Sequence, residues 1–161
     1  MTIQIPDIFI YNEGEYEILK IHGEELITPS HFGMHPEMLH TACYRGFYCT
    51  YQINNDGLFL TKMVIGEVQQ GYKPIQGIMP KLFPADRFAY PIYEGLKIIT
   101  PFTGKITLGK DFRREMCPND TRLVFILLHK NPIYYGTVLD FTFDRGKLVS
   151  IEDLSDKNAA T

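Results

Sequence analysis

The sequence predicts a mainly β protein: antiparallel hairpins forming one barrel or sandwich, with one or two short helices. Three observations carry that reading. Apolar side chains recur at every second position over short stretches, the period of a strand with one buried face. Clusters of Asn, Asp and Gly separate those stretches, and these residues accept the positive φ angles of tight turns. The aromatic residues are 10 Tyr and 11 Phe with no Trp, and Tyr and Phe, like Ile and Thr, suit a pleated surface.

The clearest stretch runs from Thr41 to Ile65. Phe47, Cys49, Tyr51 and Ile53 alternate with Tyr48, Thr50 and Gln52, Asn54-Asn55-Asp56-Gly57 form a turn, and Leu58 and Leu60 resume the apolar phase. Before it, Ile3 to Ile21 reads as a first hairpin. Ile8 and Ile10 alternate with Phe9 and Tyr11, Asn12-Glu13-Gly14 turns the chain, and Tyr16, Ile18 and Leu19 return. Pro6 has no N–H to give a ladder, so its strand lies at an edge or starts after it. Thr28 to His40 is the least strand-like part; Pro36 suits the first turn of a short helix near residues 36 to 42.

Gly66 to Tyr93 holds Pro74, Pro80, Pro84, Pro91, Gly71 and Gly77 and reads as irregular, with one helical turn at Asp86-Arg87-Phe88. A stretch of this kind is either a crossover wrapped over the sheet or a lid. Leu96 to Leu108 reads as another strand pair, in which Gly104 marks a bulge or a close backbone approach. Asp111 to Thr121 is polar and loop-like. Leu123 to Leu128 is continuously apolar and fits a central strand. Ile133 to Phe143 carries Leu139, Phe141 and Phe143 on one face; Asp144-Arg145-Gly146-Lys147 turns, and Leu148 and Ile151 return. Residues 1–154 make one β-rich domain, and 155–161 a polar, frayed tail. The segments Ile53–NNDG–Leu58 and Phe143–DRGK–Leu148 echo each other, an echo that ordinary hairpin grammar explains as well as duplication does.

Composition narrows the function. At 161 residues, 45% hydrophobic and 22% charged, the chain buries roughly 70% of its unfolded surface and folds without a metal or disulfide staple. Net charge is −3, and the densest basic group, Lys110, Arg113 and Arg114, is interrupted by Asp111 and Glu115. Nucleic acid is therefore not an expected partner, since phosphate binding needs clustered Lys and Arg. The longest apolar run, Leu123 to Leu128, is far below the ~20 residues of a membrane helix. No basic n-region or continuous apolar h-region opens the chain, so no export signal and no membrane partner are expected. The three cysteines, Cys43, Cys49 and Cys117, then read as reduced thiols of a cytoplasmic protein.

Motifs for chemistry are sparse. His31 and His35 have the i,i+4 spacing of a helical zinc pair, but residue 32 is Phe where a metalloprotease places Glu. His40, Cys43 and Cys49 are soft ligands without a second spaced pair. No metal or cofactor is expected. There is no Gly-x-Ser-x-Gly elbow and no phosphate-binding glycine loop. Arg45 stands out, within Cys43-Tyr44-Arg45-Gly46-Phe47-Tyr48. An Arg among rings can stack on them and fork onto a carboxylate of a ligand or partner; the structural alternative is an Arg that covers apolar surface and caps a carboxylate of its own chain. The candidate binding residues are accordingly Arg45, Tyr44, Tyr48 and His40.

Pro6-Asp7-Ile8-Phe9-Ile10-Tyr11-Asn12, Thr41-Ala42-Cys43-Tyr44-Arg45-Gly46-Phe47, Thr50-Tyr51-Gln52-Ile53 and Leu58-Phe59-Leu60 resemble the motifs of an uncharacterised family of bacterial single-domain proteins. Leu82-Phe83-Pro84 and the strand pair from Tyr134 to Leu148 look similar too. Tyr44 stands where the family usually has Trp, and the middle of the chain diverges. The resemblance implies a shared fold and a bacterial origin, and carries no catalytic residue.

The leading expectation is a cytoplasmic module that engages another protein, for which an immunity-type inhibitor of a toxin is one concrete form; an acidic balance and many Tyr suit an interface. A second is a small-molecule pocket in the barrel mouth, lidded by residues 66–93 and touching Arg45 and Tyr48. A third, ranked below both, is an enzyme using His40, Cys43 or Arg45.

Overall fold

The computed structural model describes residues 4–67, 71–81, 91–116 and 130–155. Among them the strands are β1 (Ile8–Tyr11), β2 (Gly14–Gly23), β3 (Phe47–Asn54), β4 (Gly57–Ile65), β5 (Ile92–Tyr93), β6 (Ile98–Ile99), β7 (Gly104–Phe112), β8 (Tyr135–Asp144) and β9 (Lys147–Asp153). All belong to one sheet in the order β3-β1-β2-β7-β8-β9-β4-β5; β6 also pairs with β4, and β3 with β4. The pairing therefore runs in a ring, sandwich- or barrel-like. The ring has three sequence-local units: β1–β2, β3–β4 and β7–β8–β9.

Each tight turn is encoded locally. Asn12 and Glu13, Asn55 and Asp56, and Arg145 and Gly146 all have positive φ, the two-residue connection whose twist matches the flanking strands. Three joints link the units. β2 meets β7 antiparallel along Glu17 to Gly23. β1 meets β3 in parallel, with Ile8 opposite Thr50 and Ile10 opposite Gln52, so the sheet is mixed rather than purely antiparallel. β4 meets β9 at the pair Gly57 and Lys147. There the two echoing turns touch: Leu58 N–H donates to the Gly146 carbonyl (2.8 Å), and Leu148 N–H to that of Asp56 (2.7 Å).

The ring interior is the core. Phe9, Tyr51, Leu58, Leu60, Met63, Phe102, Ile106 and Phe141 are all essentially inaccessible. Phe9 meets Phe141 edge to face at 5.2 Å, a favoured ring geometry. A smaller cluster of Leu19, Tyr135 and Val138, joined by Phe112 and Leu154, lies apart from it. Bulges shift the strand phase. The register breaks between Ile18 and Lys20, between Thr50 and Tyr51 and between Thr142 and Phe143. The extra residues are Leu19, Thr61 and Val149. On β4 the inward set changes from Leu58 and Leu60 to Met63 and Ile65; on β9 Leu148 packs on the core, while Ile151 beyond the bulge is exposed.

Four expectations need correction. No helix forms at residues 36–42. The Glu37 N–H donates to the Gly66 carbonyl, and the Leu39 N–H donates forward to that of Cys43, opposite to the helical direction; the helical turn here is a 3-10 turn at Pro29–Phe32. Leu96 to Leu108 is not a strand pair, because β6 pairs with β4 while β7 pairs with β2 and β8. The region from Asp111 is not all loop, since β7 runs through Phe112 before a short turn at Arg114–Met116. The tail is not loose at its first residue: Leu154 N–H donates to the Val138 carbonyl and Val138 N–H to the Ser155 hydroxyl (3.0 Å). The readings at Asp86-Arg87-Phe88 and Leu123–Leu128, with Leu82-Phe83-Pro84, Cys117 and His129, lie outside the described residues.

Gly104 fulfils the close approach anticipated for it. A Cβ there would run into the His22 carbonyl oxygen and lie 2.9 Å from Phe102, and its φ is +150°. Gly104→Ala is expected to destabilise the fold by about 2–3 kcal/mol, read as a lowered urea midpoint at unchanged m-value; a midpoint equal to the wild type would refute this account of the β2–β7 joint.

Candidate functional site

Arg45 follows a tight turn in which Cys43 N–H donates to the His40 carbonyl (2.9 Å). Gly46 comes next with φ +82°, where a Cβ would strike the Glu37 backbone, so this corner packs backbone on backbone. The corner aims the Arg45 guanidinium at Asp7. Nη2 lies 2.5 Å from Oδ1 and Nη1 3.3 Å from Oδ2, the forked geometry that favours Arg over Lys. The guanidinium carbon sits 4.6 Å from the centre of the Phe47 ring. Asp7 Oδ1 also accepts the Cys49 N–H at 2.8 Å. Burial opposes the Arg45 charge, but the adjacent Asp7 carboxylate outweighs it and holds the pKa above its ordinary value.

Arg45 therefore forks onto a carboxylate of its own chain. The other residues grouped with it have separate settings. Tyr44 is 52% exposed, and its backbone N–H donates to Gln4 Oε1 (2.8 Å). Tyr48 lies on β3 opposite Val64. His40 accepts the Ala42 N–H through Nδ1 (3.1 Å).

His31 and His35 do not form a helical pair. His31 Nδ1 accepts the Thr28 N–H (3.1 Å), while His35 uses its backbone N–H on the buried Glu67 carboxylate (2.6 Å). Among the described residues no three His, Cys, Asp or Glu side chains gather closely enough to hold a metal ion. Cys43 and Cys49 are buried free thiols. Burial raises both thiol pKa values, that of Cys49 strongly, which disfavours the nucleophilic thiolate.

Two hollows flank the extended segment Glu24 to Ile27. One, of about 330 Å³, is lined by Asp7, Arg45 and Phe47 and by Ile21 and 23–28, which form the wall facing Arg45 among the described residues. The other, of about 390 Å³, lies between Glu24–Ile27 and Ile98–Pro101, with His31 and Phe32 beside it. No family model, no curated protein and no solved structure matches this chain.

The edge of β6 beside the second hollow has an unusual finish. Thr100 N–H donates to the Leu58 carbonyl and Leu96 N–H to that of Thr61. Backbone groups alternate in direction along an antiparallel strand, so Lys97 and Ile99 direct theirs away from β4. The Gln76 amide takes both Lys97 groups: Nε2 donates to the carbonyl and Oε1 accepts the N–H, each at 2.9 Å. Gln76 holds this pose in a tight Ile75–Ile78 turn, anchored by buried Ile75. Ile99 receives no such cap among the described residues, and it is 70% exposed. Residues 71–78 thus act as a crossover that finishes one edge of the sheet. Sequence reading missed this edge, although Gln76-Gly77 has the composition of a turn.

The Asp7 contacts set an order of costs. Asp7→Ala strands the Cys49 N–H and is expected to cost about 2–4 kcal/mol. Arg45→Ala leaves that bond in place, and Arg45 is 42% exposed, so it should cost about 1 kcal/mol. Chemical denaturation checks the order; an Arg45→Ala loss equal to that of Asp7→Ala would refute it. In a Cys117→Ser background, Cys43 and Cys49 should resist an aromatic disulfide reagent until the protein unfolds. A thiol reacting rapidly in the native protein would restore the enzyme reading.

Proposed function

We propose that this protein is a binding module that takes an extended segment of another protein along the Ile99 edge, in the groove between Glu24–Ile27 and Ile98–Pro101. The observation that carries the reading is the unfinished edge: Gln76 caps Lys97, while the next outward-directed residue, Ile99, stays exposed. A peptide strand laid there continues the sheet by main-chain hydrogen bonds, and its alternate side chains enter the groove. Leu26, Ile27, Phe32 and Ile98 offer an apolar floor, and Glu24 and Glu25 an acidic wall. The segment best suited to it alternates apolar residues with Lys or Arg. Arg45 has no part in this recognition, since its guanidinium is held by Asp7.

Selection from a display library of random linear peptides tests the reading. Selected peptides should share an apolar residue flanked by basic ones, and Ile99→Asp should weaken them about tenfold or more, since roughly 1.5–3 kcal/mol attends burial of an Ile side chain. Because Ile99 is exposed, the variant should keep the wild-type melting temperature. Peptides that bind Ile99→Asp as well as the wild type would overturn the proposal.

A further inference from the structure

A separate hollow of about 460 Å³ lies on the β2–β7–β8 face, where Lys20, His22 and Lys105 converge, with Asp140 beside them and Pro132 and Leu154 as apolar walls. Strand register makes this grouping. His22 stands opposite Lys105 and Lys20 opposite Thr107; Thr107 in turn stands opposite Asp140. The Leu19 bulge sets the phase of β2 so that Lys20 and His22 face outward while Ile21 pairs with core residue Ile106.

The charges here are unbalanced. Asp140 is the carboxylate lining the hollow, and it is already engaged. The Thr107 hydroxyl donates to Oδ1 at 2.6 Å, and Lys105 Nζ stands 3.9 Å from Oδ2. Lys20 and His22 have no ion-pair partner among the described residues. Lys20 and Lys105 are diagonal neighbours across the β2–β7 pair, a placement at which like charges repel. The chain as a whole carries −3, so the cationic group runs against its overall sign.

We infer that this hollow binds the phosphate group of a small phosphate ester. Two ammonium groups and an imidazole supply donors to several oxygens of one dianion and relieve the repulsion between the lysines. The volume exceeds that of a phosphate, and Pro132 and Leu154 provide apolar surface for an organic substituent. The site is independent of the peptide groove and stands or falls without it.

Titration of the isotope-labelled protein with inorganic phosphate and with phenyl phosphate, followed by amide chemical shifts at constant ionic strength, decides the matter. Both ligands should give saturable shifts centred on Lys20, His22 and Lys105, with phenyl phosphate the tighter. The Lys20→Gln/Lys105→Gln variant should weaken each at least about tenfold, as loss of charged hydrogen bonds implies, while Lys147→Gln should not. Unsaturable shifts, equal shifts with sodium chloride, or an unchanged affinity in the double variant would overturn the site. Equal affinity for the two ligands would overturn the ester and leave phosphate alone. Both substituted lysines lie on the outer face, so the variant should fold; a wild-type melting curve checks this.

Discussion

A ring of strands depends on the joints that chain proximity cannot supply. Hairpins form between neighbours, and a loop of a few residues closes at little entropic cost. The joint between β1 and β3 is different: its strands are parallel, cover three residue pairs and are separated in sequence by β2 and the whole 24–46 segment. The Asp7 carboxylate stands at its mouth. It accepts the Cys49 N–H from one partner strand, binds Arg45 from the segment leading into that strand, and belongs to the residue just before β1. A short parallel ladder is thereby finished by side chains. The β4–β9 joint is shorter still and is completed by two turns that exchange backbone hydrogen bonds.

Much of this architecture was legible. The three turns at Asn12-Glu13, Asn55-Asp56 and Arg145-Gly146 follow from residues that accept positive φ, and the apolar alternation of Phe47 to Ile53 and of Leu139 to Phe143 follows from one buried face. What could not be read is where alternation changes phase. Leu19, Thr61 and Val149 are extra residues whose presence is visible only once a partner strand fixes the register. A period-two reading therefore loses track of faces beyond each bulge. The missing helix at 36–42 has a related cause: Pro36 suits a helix start locally, but the Gly66 carbonyl, 29 residues away, takes the N–H of Glu37, and Leu39 turns its N–H forward to the carbonyl of Cys43.

Arg45 shows the same limit at the level of function. Its setting among Tyr and Phe was plain in the sequence, as was the alternative that it serves its own chain. Choosing between them required the partner, and Asp7 lies 38 residues away. Both surfaces proposed above arise instead from residues with little individual signature. Ile99 matters because of where Gln76 stops, and Lys20 matters because a bulge turns it toward Lys105.

Gln76 closes one end of the sheet with a single carboxamide. Glutamine is chemically fragile over long times, and hydrolysis to glutamate removes the donor while placing a negative oxygen against the Lys97 carbonyl. The exposed rim would then extend from Ile99 back to Lys97, long enough for another copy of the chain to stack upon. Ageing of one amide would thus turn a capped stretch of the border into a seed for self-association.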